Sequence, residues 1–77
     1  EGIYNPVSLE YCVISAYNTG SGNVLKTFNK NRSRAKNIIN SKMPSEIYNT
    51  LRNRLPYEET RRYLKKVVDF KKDFVSL

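Results

Sequence analysis

The chain has 77 residues, 14 Lys and Arg against 7 Asp and Glu for a net charge of +7, one cysteine and no histidine. A chain this short makes at most one small domain with a marginal core, so it is expected to be part of something larger. Cys12 has no partner for an internal disulfide, and the absence of histidine excludes the usual zinc and haem constellations and any Cys/His nucleophile pair.

Asn5 followed by Pro6 predicts an N-cap and a first-turn proline, opening a helix that runs to about Tyr17. Val7, Tyr11 and Ile14 share one face, and Cys12, Val13 and Ala16 widen the stripe, the pattern of a central helix. In this setting Cys12 reads as a small buried hydrophobe. The stretch YCVISAY also suits a strand, but the cap and the lack of a pairing partner downstream stand against it.

Residues 16–22, AYNTGSG, end that apolar run. Tyr17 and Asn18 offer a phenol and an amide, groups that hydrogen-bond a neutral polyhydroxylated ligand, while Gly20 and Gly22 permit close backbone approach or positive φ. Two readings stay open: the wall of a sugar site, or a helix C-terminus capped by glycine.

Val24, Leu25 and Phe28 then predict a short helix ending in the polar run 29–32. Ala35, Ile38, Ile39 and Met43, at i, i+3, i+4 and i+8, predict another, with Ser33 as N-cap. Pro44 opens the next helix: Ile47, Tyr48, Leu51 and Leu55 line one face, and Glu46 early with Arg52 and Arg54 late match the helix dipole. Pro56 opens the longest. Glu58 and Glu59 lie near its positive end, Tyr63, Val67, Phe70 and Phe74 recur along its apolar face, and Arg61, Arg62, Lys65, Lys66, Asp69 and Lys72 form its solvent face. With no convincing strand, repeat or linker, the fold class is all-α with about five helices.

AYNTGSGNV resembles the Ala-Tyr-Asn-x-Gly motif of the lytic transglycosylases, lysozyme-like enzymes that cleave the glycan strands of peptidoglycan. Residues 55–67, LPYEETRRYLKKV, are similar to the later segment of that family, where a proline, a Glu-Thr pair and a tyrosine open the closing helix. The connecting SRAKNIINSKMPSEIYNTLRNRLP resembles the membrane-bound, C-type subgroup, in which an Ile-Asn pair precedes a Pro-x-x-x-Tyr helix. The blocks occur in the family's order. The chain starts at Glu1 without methionine and the resemblance starts in mid-domain, so residues 1–77 are expected to be the C-terminal portion of a lysozyme-like catalytic domain.

The resemblance implies a particular chemistry. Most glycosidases use two carboxylates, whereas lytic transglycosylases use one glutamate, first as acid and then as base. The sugar's own 6-hydroxyl closes a 1,6-anhydro ring as the MurNAc-GlcNAc β-1,4 bond breaks. That glutamate precedes a serine. No Glu-Ser pair occurs here, so the catalytic acid is expected to lie off this chain, and the chain alone is expected to be inactive.

Carried over by position, Tyr17 matches the tyrosine beside the catalytic carboxyl, Asn18 the asparagine that contacts glycan, and Gly20 the motif glycine. Glu59 matches the glutamate of the Glu-Thr pair at the cleft wall, and Tyr63 the second site tyrosine. Glu58 reads better as a helix-dipole partner. Thr19 stands where the family often has Gly or Ala. No cofactor or metal is implied. The implied partners are peptidoglycan glycan strands and the missing N-terminal part of the domain, with the membrane reached only through a lipid anchor outside this chain. The implied location is the bacterial periplasm or cell envelope.

Charge supplies a rival. Residues 1–22 hold Glu1 and Glu10 with no Lys or Arg, so the remainder carries +9, two more than the net +7. A small basic helical module binding nucleic acid through the face from Arg61 to Lys72 is the alternative, although no recognition helix is marked and nucleic acid is not expected as a partner. A helix lying on a membrane surface or a partner protein ranks last, since the apolar face of the last helix has ordinary core width.

Overall fold

The computed structural model describes residues 2–75 and, among them, contains five helices and no strand. The all-α expectation holds, and the strand alternative for YCVISAY falls, because those residues lie within α1, Pro6–Thr19. Asn5 Oδ1 accepts from the backbone N–H groups of Val7 and Ser8 at 2.8 and 3.1 Å, and Pro6 follows in the first turn. The cap satisfies two of the amides that a helix start leaves without partners.

The face that α1 buries overlaps the expected one, with Cys12 in the core and Tyr11, Ile14 and Ala16 packed against it, but is shifted toward Ser8 and Ser15. Ser8, Cys12 and Ser15 are buried, Tyr11 and Ile14 are partly buried against the core, and Val7 and Val13 are exposed. The hydropathy pattern is displaced because small residues occupy the contact stripe, where helices pack closely; Ser8 Oγ is buried there without a hydrogen-bond partner among the described residues. Ser15 Oγ donates to the Tyr11 carbonyl at 3.0 Å, so its burial leaves no unmet donor.

The helix α2, Ser21–Lys26, buries Val24 and Leu25. Next, α3 (Arg32–Ser41) buries Ala35 and Ile39. Its N-cap is Asn31, whose Oδ1 accepts from the Arg34 N–H at 3.0 Å, and not Ser33, which lies inside the first turn. Asparagine two positions upstream competes successfully because its backbone is extended and its amide oxygen reaches the third amide of the helix. Met43, expected on the apolar face, is exposed beyond the helix end. Asn40 ties the N-terminal segment to α3, donating to the Gly2 carbonyl at 2.6 Å and accepting from the Tyr4 N–H at 3.0 Å.

In α4, Pro44–Arg54, Ile47 and Leu51 are fully buried, and Leu55 just beyond it is buried as well. Glu46 accepts from the Met43 N–H at 3.0 Å, closing the helix start. Tyr48 is partly buried and meets Tyr11 of α1 with ring centroids 5.2 Å apart. Each fully buried Leu or Ile contributes roughly 1.5–3 kcal/mol, so these few side chains hold the domain together.

The last helix, α5, spans Glu58–Val75, starting two residues after Pro56. It buries Thr60, Leu64 and Val68, while Phe70 and Phe74, expected on the core face, are each 68% exposed and stack on one another at 6.3 Å. The true stripe sits about a quarter-turn from the expected one. Glu10, early in α1, pairs with Lys71, late in α5, and Asn18 at the other end of α1 meets Thr60 at the start of α5. The two helices therefore run antiparallel, with α1 central and packed against α2, α4 and α5. No helix of the described residues is long and apolar enough to cross a membrane.

Candidate functional site

The last turn of α1, the start of α2 and the first turn of α5 converge on one groove. Gly20 makes this possible: at φ 90° and ψ 148° it turns the chain from the end of α1 into α2 with one intervening residue, a conformation that L side chains resist. Its N–H donates to the Ala16 carbonyl at 2.7 Å. Gly22, by contrast, lies within α2, and a Cβ there meets nothing within 4 Å. Asn23 locks the turn by donating from Nδ2 to the carbonyl and hydroxyl of Thr19 at 3.0 and 3.1 Å.

Across the groove, two arginines brace the turn into α5, one of them holding the segment 55–57 directly. Arg52 Nη1 donates to the Arg61 carbonyl at 2.9 Å, and Arg61 donates to the Leu55 carbonyl. Tyr57 O then accepts from the Thr60 and Arg61 amides, each at 3.1 Å, starting α5. The buried Thr60 hydroxyl crosses to Asn18 Oδ1 at 2.7 Å. Between these walls is an open groove of about 570 Å³, lined by Asn18, Thr19 and Asn23 on one side and residues 56–60 on the other.

Its chemistry is that of hydrogen bonding. Asn18 Nδ2 and Asn23 Oδ1 have no protein partner among the described residues, and Glu59 adds an exposed carboxylate. Tyr57, more than half exposed, adds an aromatic face. Glu58 is engaged with Arg62 at 2.7 Å. Acids that protonate a leaving oxygen work from dry pockets, and neither Glu58 nor Glu59 is in one. The groove thus presents amide, hydroxyl and carboxylate groups for hydrogen bonding, and both of its carboxylates are exposed. No cluster of three or more metal-ligating side chains occurs among the described residues.

Of the residues singled out from sequence, Asn18 and Glu59 line the groove and Gly20 shapes it. Tyr17, 85% exposed, and Tyr63, half-buried one turn beyond Glu59, do not line it. Thr60, Asn23 and Tyr57 were missed. Thr60 stood in view as the threonine of the Glu-Thr pair, and Asn23, one helical turn after Thr19, was legible only once the Gly20 turn was known. Cys12 is buried, its thiol pushed up to about 11 by loss of solvent, which keeps it protonated and inert.

Much of the basic face of α5 is already engaged. Arg61 caps the Leu55 carbonyl, and Arg62, Lys65 and Lys71 pair with Glu58, Asp69 and Glu10. The hydrogen bond holds Lys65 above, and Asp69 below, their ordinary values.

No protein-family model matches the chain. It is similar to membrane-bound lytic murein transglycosylase C from Cronobacter sakazakii, 53% identical over 66 residues, covering 86% of this chain and 18% of that protein. The protein of that name from Pectobacterium atrosepticum is 48% identical over 73 residues, 95% of this chain and 20% of that protein, and the one from Shigella sonnei is 47% identical over 74 residues, 96% and 21%. The chain spans about a fifth of the length of the curated relatives it matches. An alignment of 73 of the 77 residues necessarily takes in both walls of the groove. The chain is thus a homologue of one segment of membrane-bound lytic murein transglycosylase C.

Proposed function

We propose that the chain forms one wall of the glycan cleft of a peptidoglycan lytic transglycosylase, as the C-terminal portion of its catalytic domain, and that polypeptide outside these residues supplies the acid. The reading is carried by one observation: Asn18 and Thr60, 42 positions apart and each from one of the two main sequence blocks, are hydrogen-bonded across a single polar groove. In this reading Asn18 Nδ2 donates to a sugar oxygen and Glu59 accepts from sugar hydroxyls. Gly20 sets the turn that presents Asn18. Tyr17 and Tyr63 face the incoming part of the domain, where the Tyr17 hydroxyl holds or polarises the catalytic glutamate. Exposed Val13 and the Phe70–Phe74 stack offer apolar surface for that polypeptide to pack on.

The reaction forms a 1,6-anhydro ring without consuming water, which fits a wall that binds and orients the glycan while the acid arrives from elsewhere. The site of action is the bacterial cell envelope, on the periplasmic side, with any outer-membrane anchor carried outside this chain. Engagement of Arg61, Arg62, Lys65 and Lys71 within the fold supports this reading over a nucleic-acid-binding face.

The test uses a chimera in which this chain replaces the matched segment of the Pectobacterium atrosepticum relative. A hydroxyl that acts on the acid affects the chemical step, so Tyr17→Phe is expected to lower turnover on sacculi while leaving glycan affinity nearly intact. Full turnover by Tyr17→Phe removes that role.

A further inference from the structure

The groove does not end at Tyr57. A second depression of about 350 Å³ continues beyond it, sharing Asn23, Pro56 and Tyr57 with the first and bounded by Lys26, Thr27 and Arg54. Charge changes sign along this path, from Glu58 and Glu59 at one end to Lys26 and Arg54 at the other. Lys26 ends α2 and Arg54 ends α4, and a cation at either helix end is favoured by the dipole alone. What the dipole does not account for is their convergence on one depression beside an aromatic ring, continuous with a groove rich in amides and hydroxyls. Neither cation forms an ion pair or side-chain hydrogen bond among the described residues, unlike Arg52, Arg61, Arg62, Lys65 and Lys71.

Resting on the function proposed above, we infer that this extension binds the carboxylate of a peptide stem carried by the glycan, while the Asn18 and Glu59 end binds sugar hydroxyls. Arg54 supplies a planar fork that matches a carboxylate, Lys26 a mobile point charge, and Tyr57 a face against which the bridging sugar packs. The extension makes the groove selective for stem-bearing glycan over bare glycan. Because both cations are exposed, the added affinity is salt-sensitive.

Backbone amide shifts of the 77-residue chain, titrated with three probes, test this. The probes are chitobiose, the GlcNAc-MurNAc disaccharide bearing a tetrapeptide, and the free tetrapeptide. The stem-bearing disaccharide is expected to bind about fivefold more tightly than chitobiose, the size of two exposed charge contacts, and to shift residues beside Lys26 and Arg54. The double variant Lys26→Gln/Arg54→Gln is expected to abolish that excess and leave chitobiose affinity unchanged. Equal affinity for the two disaccharides, or an excess that survives the double variant, overturns the inference while leaving the sugar groove standing. Free tetrapeptide binding with no sugar shift at Asn18 or Glu59 overturns the glycan reading and this inference with it.

Discussion

The Thr60 hydroxyl donates to Asn18 Oδ1 at 2.7 Å, closing the N-terminal end of α5 onto the C-terminal end of α1. Because Thr60 is buried, removing its acceptor leaves a donor without a partner, at a cost of roughly 1–3 kcal/mol. Asn18→Ala is therefore expected to lower stability as well as glycan affinity. Thr60→Val removes the donor and spares the amide. Urea unfolding of both single variants and the pair is expected to give a double-variant loss smaller than the sum by about 0.5 kcal/mol or more. Strict additivity contradicts a coupled pair.

The displaced face of α5 gives a second prediction. Leu51→Ala and Leu64→Ala each open a cavity in a core of few large side chains and are expected to cost about 2–5 kcal/mol, a large part of the stability of so small a domain. Phe70→Ala removes an exposed ring and is expected to cost less than about 1 kcal/mol. Thermal unfolding separates these cases. A loss at Phe70 equal to that at Leu64 means that the wrong face of α5 has been taken as buried.

How far the sequence was legible depends on what each position packs against. Asn5 and Pro6, the Glu46 turn and the Ile47, Leu51, Leu55 stripe all follow from local rules, since cap, dipole and period agree there. The face of α5 was misread, and that of α1 only at Val7 and Val13, because their contact stripes contain Ser8, Ser15 and Thr60, whose burial hydropathy does not reveal. Phe70 and Phe74 outweigh Leu64 and Val68 in any apolar pattern, yet it is Leu64 and Val68 that α5 turns into the core and the two rings that it leaves exposed. At the site, Asn18 and Glu59 were visible as motif residues. Their joining through Thr60 was not, because it depends on the antiparallel course of two helices far apart in sequence.

Burial of Cys12 gives a pH dependence. Its thiol rises from 9.0 to about 11 on folding, so the folded state holds the proton more tightly than the unfolded chain. The associated stability is fully present below about pH 9 and is lost as pH rises through about 11, up to roughly 2–3 kcal/mol. Wild type is expected to lose stability more steeply than Cys12→Ala between pH 9 and 11. Parallel pH profiles contradict burial of the thiol.

We propose above that these residues furnish a cleft wall and that the catalytic acid lies outside them. The most direct measurement is mass-spectrometric detection of 1,6-anhydromuropeptides released from purified sacculi by the isolated chain and by the chimera with the Pectobacterium atrosepticum relative. No product is expected from the isolated chain, and product, reduced by Asn18→Ala, is expected from the chimera. Product from the isolated chain, or a folded chimera that binds no glycan and releases nothing, contradicts it.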